Sequence, residues 1–297
     1  MLLLRGGLLS LRTFDTTLLR SGLAFGLPLI AYELAGITLD ASDRVLVRHF
    51  LGSHTLGLYS LAYGMSDYVN NLLIAPINLA LVPIYMRLWT NEGQTKTSEF
   101  LSRGLDLFFM ASAGILAVVA ATSRDAVILF ASPKYRGAET LIPTLVAGLL
   151  IYTSHAFLSA GLMIHKDSRT MARLLAYSAV FNIIMNYLLL PKVGVQAAAF
   201  STLLSYLFCV ILLARASRKR VPLKIDIHAT GKYVLAAIAA WYTSIHVELG
   251  RPLANLAIRT TIVFVIYWIA LYVMDTRIRV ASGYLVDRQR GSEHSPA

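Results

Sequence analysis

Polar side chains inside otherwise apolar stretches are the chemistry this chain offers. Asp67, Asn71 and Asn78 fall at i, i+4 and i+11, close to one stripe of a helix. Ser60, Tyr63 and Gly64 extend that stripe. Such a stripe faces a cavity or forms a hydrogen-bond ladder between helices. Asn182 and Asn186 stand one turn apart on one face. They suit sugar hydroxyls, or they cross-link helices. Glu33 sits in the middle of an apolar run, where burial favours its neutral form and permits proton exchange. The alternative is a protonated Glu bonded to a neighbouring helix. Arg44 and Arg48 share a face beside Asp43. Their guanidinium groups match phosphate oxygens in pairs, or Asp43 and Arg44 form an interface ion pair. Glu33 and Asp67 are the candidates for ion coupling. Arg103 and Asp106, at i and i+3, read as an ion pair at a helix end, and His155 as a hydrogen-bonded packing residue or a proton relay.

The elements that must position these groups are bilayer-length helices. Of the 297 residues, 57% are hydrophobic and 14% charged, with a mean hydropathy of +0.63. That is the composition of a polytopic membrane protein. The expected fold is all-α, a membrane helix bundle of about eight transmembrane helices. Eight apolar segments come near the roughly 20 residues that a crossing requires: 22–39, continuing toward Phe50, then 55–89, 100–121, 140–164, 172–190, 195–214, 233–247 and 254–274. The second is read as one kinked helix carrying Pro76 and Pro83. Pro191 is expected to stop the fifth segment, and Gly194 to turn the chain into the sixth. Ala197, Ala198, Ala199, Ser201 and Thr202 then let helix backbones approach closely.

Five regions follow: an amphipathic lead-in (1–20), a six-helix lobe (21–216), a basic linker (217–230), a two-helix extension (231–275) and a polar tail (276–297). With each segment crossing once, most of the 27 Lys and Arg residues fall on the side of both termini, which places the termini in the cytoplasm. The net charge of +11 is then mainly an orientation signal, with a secondary attraction to membrane lipids. No nucleic-acid partner is expected. Cys209, the single cysteine, has no partner for an intramolecular disulfide. The sequence carries no phosphate-binding loop, metal-spaced His/Cys set or nucleophile elbow, so a transporter is expected, not an enzyme, and no cofactor or metal.

The order Asn182-x-x-x-Asn186, Pro191-x-x-Gly194, the small-residue run and Thr202-x-x-Ser205 resembles the C-terminal half of the polysaccharide (O-antigen type) flippases. These belong to the superfamily of multidrug, oligosaccharidyl-lipid and polysaccharide exporters. Gly26-Leu-Pro28, Asp43-Arg44, Gly57-Leu-Tyr59-Ser60 and Tyr63 are similar to the opening of that family's second lobe. Ala197 departs from the pattern by standing where the family usually has a second Gly. The resemblance covers roughly residues 20–215. It implies a flippase that moves an undecaprenyl-pyrophosphate-linked oligosaccharide across the cytoplasmic membrane by alternating access. Asp67, Asn71, Asn78, Arg44, Arg48, Asn182 and Asn186 would line its cavity. It also implies a further N-terminal lobe, so a fragment or truncated product is expected, with that lobe or polysaccharide assembly proteins as partners. A multidrug or cation exporter of the same superfamily, and a non-transporting subunit of a polysaccharide synthesis complex, are the alternatives.

Overall fold

The computed structural model describes residues 16–69, 71, 72 and 75–275. Most of the lead-in, the whole tail from 276 and the side chain of Asn78 lie outside the described residues. Those described form helices and their connections, with no strand among them. The helices are α1 (Thr16–Val69), α2 (Ala75–Phe130), α3 (Ile142–Thr153), α4 (His155–Leu158), α5 (Ala160–Ile164), α6 (Ser168–Val193), α7 (Gln196–Arg218), α8 (Ile227–Ile245) and α9 (Pro252–Met274). Among the described residues, six helical stretches are long and apolar enough to cross a membrane.

The two longest helices each contain a break. At Gly52 the backbone takes φ 81°, and at Gly93 φ 78°, both in the left-handed region that favours glycine. The break at Gly52 reverses the chain. The Tyr59 hydroxyl donates to Asp43 Oδ2 at 2.8 Å, whereas 16 residues of straight helix would hold them about 24 Å apart. With these breaks the described residues fall into eight rods: 16–51, 53–92 (less 70, 73 and 74), 94–130, the α3–α5 series, and α6 to α9. An all-α membrane bundle is what the apolar segments imply.

The second segment is helical to Val69 and again from Ala75, with a wider helical turn at Asn71 and Leu72 and with Pro83 inside the helix; residues 70, 73 and 74, on which its reading as one kinked helix turns, lie outside the described residues. One expectation is corrected. Pro191 does not stop α6. It sits in the last turn, and the helix runs on to Val193 before Gly194, at φ 79°, ends it with its N–H on Leu190 O.

Close packing follows the small residues. Ala197, Ala198, Ala199, Ser201, Thr202 and Ser205 all face inward on α7. On α3, a side chain at Gly148 would meet the Leu203 backbone. Ala117 and Ala121 of α2 meet Ala229, Tyr233, Ala236 and Ala240 of α8 and Val263, Tyr267 and Leu271 of α9 in a separate apolar cluster. Leu27, Ile30, Leu34 and Ile37 of α1 point outward, as a lipid-contacting face does.

The linker after α7 is tied down on two sides. Arg220 Nη2 lies 2.5 Å from Asp167 Oδ2. Burial pushes the Asp167 carboxyl up, but its bonds from Arg220 and Thr170 outweigh this and leave it below the usual carboxylate range. Gln94, Ser98 and Ser102, one turn apart on α2, bond to Arg220 O, Pro222 O and Lys224 N respectively. The Gly161 N–H donates to Ser217 Oγ at 2.9 Å. A Cβ at Gly161 would stand 2.6 Å from that oxygen and 2.9 Å from the Ser217 carbonyl. Gly161→Ala is therefore expected to cost about 1–3 kcal/mol by overpacking. Thermal unfolding in detergent measures this, and an unchanged midpoint would contradict such close approach.

Candidate functional site

Asp43 is the centre on which the polar residues converge. Four rods each bring a residue to the same depth, six to eight residues from the end they share: Asp43 before the break at Gly52, Tyr59 after it, Asn186 before the end of α6, and Thr202 after the start of α7. Helices of equal rise connected at one end place such positions level with one another. Asp43 is fully buried. Its Oδ1 accepts from Asn186 Nδ2 at 2.6 Å. Its Oδ2 accepts from the Tyr59 hydroxyl and from the Thr202 hydroxyl. Ser42 Oγ donates to Asn182 Oδ1 at 2.9 Å, and Asn186 Nδ2 also lies 3.2 Å from that oxygen.

No cationic side chain pairs with Asp43 among the described residues. The expected pair with Arg44 does not form, because neighbours in sequence on a helix point to different faces. Arg44 is exposed, and its guanidinium lies 4.7 Å from the centre of the Tyr63 ring. A carboxylate inside a bilayer is costly, and hydrogen bonds alone leave its charge uncompensated. The buried Oδ1 of Asn186 has no hydrogen-bond donor. Carboxylate, amide and hydroxyl oxygens thus meet in one buried place, which is the donor chemistry that suits a proton or a small hard cation. No group of three or more His, Cys, Asp or Glu able to hold a metal exists among the described residues.

The other candidates are dispersed. Asn182 and Asn186 are fully buried and join α6 to α1, so in this structure they cross-link helices and do not line an open cavity. Asn71 Nδ2 donates to Asp67 Oδ2 at 2.9 Å, with Asn71 exposed and Asp67 half-buried. Glu33 is exposed on the outer face of α1, not buried as expected, and Arg48 is exposed. The Arg103–Asp106 pair does not form either: Asp106 accepts from the Tyr233 hydroxyl at 3.1 Å. His155 bonds to Tyr152 O through Nδ1 at 2.7 Å and stacks on that ring, which itself stacks on Tyr206.

Tyr59 and Thr202 were missed from the sequence as partners of Asp43. Thr202 reads there only as a small packing residue, although its spacing from the turn at Gly194 mirrors that of Asn186. Asp125 and Arg259 were missed altogether. Both are buried, with Arg259 Nη1 2.9 Å from Asp125 Oδ2. Arg259 also donates to Val247 O and Ala121 O, and Asn255 Nδ2 lies 3.3 Å from Asp125 Oδ1.

A bundle of bilayer-length helices around a buried polar centre defines a multi-pass membrane protein. Comparison with known proteins agrees. Residues 9–140 match the family described as "Polysaccharide biosynthesis protein". An uncharacterized membrane protein of Methanocaldococcus jannaschii, MJ1068, is 26% identical over 200 residues, which cover 65% of this chain and 38% of that protein. The fold is similar to that of the lipid II flippase MurJ in its inward closed conformation, with a TM-score of 0.71 at 13% identity over 88% of this chain and 55% of that one. The chain thus spans only part of the length of either protein. The family match agrees with the resemblance to polysaccharide-pathway membrane proteins over the part that contains Asp43, and the fold is similar to that of a flippase over most of the chain.

Proposed function

We propose that this chain forms one lobe of a flippase that moves a lipid-linked oligosaccharide across the cytoplasmic membrane in polysaccharide biosynthesis. The substrate class is a glycan on an undecaprenyl-pyrophosphate carrier. The polar glycan and phosphates cross in a cavity closed between this six-helix lobe (21–216) and a second lobe, whether a partner or another part of a longer protein. The lipid tail stays in the bilayer, and rocking of the lobes alternates access. Residues 217–230 act as a cytoplasmic linker and 231–275 as an appended hairpin, with both termini in the cytoplasm. Arg44 and Arg48, both exposed, would meet substrate phosphates, and Asp67 and Asn71 would line the passage.

The observation that carries this reading is the Asp43 centre within a flippase fold. A carboxylate without a cation, held between α1, α6 and α7, changes its net charge when it takes up a proton or small cation. That uptake biases how the three helices pack. Coupling is therefore assigned to Asp43, in place of the exposed Glu33 and half-buried Asp67. The test is translocation of a fluorescent lipid-linked sugar between leaflets of vesicles under imposed proton or sodium gradients. The complete transporter is reconstituted with this lobe. Flipping that responds to one gradient and is lost in Asp43→Asn supports the reading. Efflux of organic cations with no lipid movement would reassign the chain to the exporter branch, and movement of neither would reassign it to a non-transporting subunit.

A further inference from the structure

We infer that Tyr63 is a positioning residue for Arg44: it holds the guanidinium without neutralising it, so that the charge stays available to a pyrophosphate. The inference rests on the reading of Arg44 as a contact for substrate phosphates.

Arg44 is exposed within a bilayer-length rod, and a cation so placed faces water or protein, not hydrocarbon. No salt bridge engages it among the described residues. Its guanidinium lies instead 4.7 Å from the centre of the Tyr63 ring. A carboxylate in that place would cancel the charge and occupy the N–H donors. The face of an aromatic ring attracts a cation through its quadrupole and does neither. The planar fork of N–H groups is left for phosphate oxygens. Arg48, one turn further along α1, is also exposed but makes neither a salt bridge nor a ring contact among the described residues. Of the two arginines, Arg44 is the one held in place.

A side chain that holds another must itself be fixed. Tyr63 is buried, and its hydroxyl lies 3.4 Å from that of Tyr206, which is buried too. The Tyr206 ring stacks on Tyr152 with centroids 4.7 Å apart, and Tyr152 stacks in turn on His155. The Tyr63 ring also lies 6.1 Å from that of Tyr59.

Helical spacing produces this arrangement. Tyr59 and Tyr63 stand one turn apart after Gly52, and Thr202 and Tyr206 one turn apart on α7. The first member of each pair bonds to Asp43. The second members meet each other, with Arg44 over the ring of one of them. Two successive turns of the same two rods therefore serve two adjacent residues of α1. One turn satisfies the buried acid, and the next holds the exposed cation.

The test uses the complete transporter reconstituted with this lobe. Flipping of a fluorescent undecaprenyl-pyrophosphate-linked sugar is followed against its concentration. Tyr63→Met fills much of the space with a flexible side chain but removes the ring face. It should raise the half-saturating concentration about 2- to 12-fold, the ordering cost of one long side chain, and leave the maximal rate near that of the parent. Tyr63→Leu, a second ringless variant, should behave alike. Tyr63→Phe keeps the ring and should keep the half-saturating concentration. In an Arg44→Gln background Tyr63→Met should add nothing, because the two residues act as one unit. An equal effect of Tyr63→Met with and without Arg44, or a loss confined to the maximal rate, would overturn the inference and leave Tyr63 as a packing residue. An unchanged half-saturating concentration in Arg44→Gln alone would instead overturn the phosphate reading of Arg44.

Discussion

Asp43→Ala is expected to lower the unfolding free energy of this chain by about 2–5 kcal/mol. Three donors, from Tyr59, Thr202 and Asn186, lose their acceptor at once. Hydrogen bonds between membrane helices average about 0.6 kcal/mol and reach about 1.7, and a buried donor left unmet costs about 1–3. The lower figures set the floor, because the freed hydroxyls can turn toward backbone carbonyls, as Thr202 already does to Ala198 O at 2.9 Å. Asp43→Asn keeps the volume and one carbonyl oxygen. Its amide can donate to a hydroxyl that rotates to accept, so its effect on stability should be about 1 kcal/mol. Its effect on transport should be larger, on the order of 5–150-fold, the range of a coupling energy between an ion site and a moving element. Unfolding in mixed micelles and leaflet-resolved flipping measure the two separately. If Asp43→Ala is as stable as the parent, the centre is not what joins α1, α6 and α7.

The second large effect is at the Asp125–Arg259 pair that joins α2 to α9. Arg259→Ala leaves Asp125 as a buried charge without its cation. Breaking such a pair from one side typically costs about 3–5 kcal/mol. The loss is compounded because the same guanidinium holds Val247 O and Ala121 O, and so fixes the turn between α8 and α9 against α2. The α8–α9 hairpin should loosen as a unit, and limited proteolysis should then cut at 246–251. Replacing both members with apolar residues, Arg259→Met with Asp125→Leu, should recover most of the stability, since an apolar pair incurs no charge desolvation. Equal stability of the single and double variants would show that the pair contributes packing only. Arg259→Lys tests geometry: an ammonium replaces the charge but cannot reach three acceptors with one planar group.

The class of the protein was present in its composition. A chain with so little charge and so many bilayer-length apolar runs has no soluble way to bury them, so the all-α membrane bundle follows from elementary solvation. The small residues after Gly194 likewise had one use, close helix contact, and they serve it. The order of Asp43, Tyr59, Asn182, Asn186 and Thr202 along the chain was enough to raise the flippase resemblance.

What the chain alone left undecided was which polar groups meet. A helical stripe gives the face a residue occupies but not what that face touches. Asp67, Asn71 and Asn182 read alike in sequence, yet the first two meet at a wider helical turn and the third lies in a buried interface. Asp43 and Arg44 read as a pair, yet they diverge because adjacent positions on a helix are about 100° apart. Asp43 finds Thr202 across 159 residues, and Asp125 finds Arg259 across 134. Such partners are set by the depth at which each rod enters the bundle and by its rotation about its own axis. Both are fixed only when every helix has packed, because only then does burial require each charge and amide to have a partner.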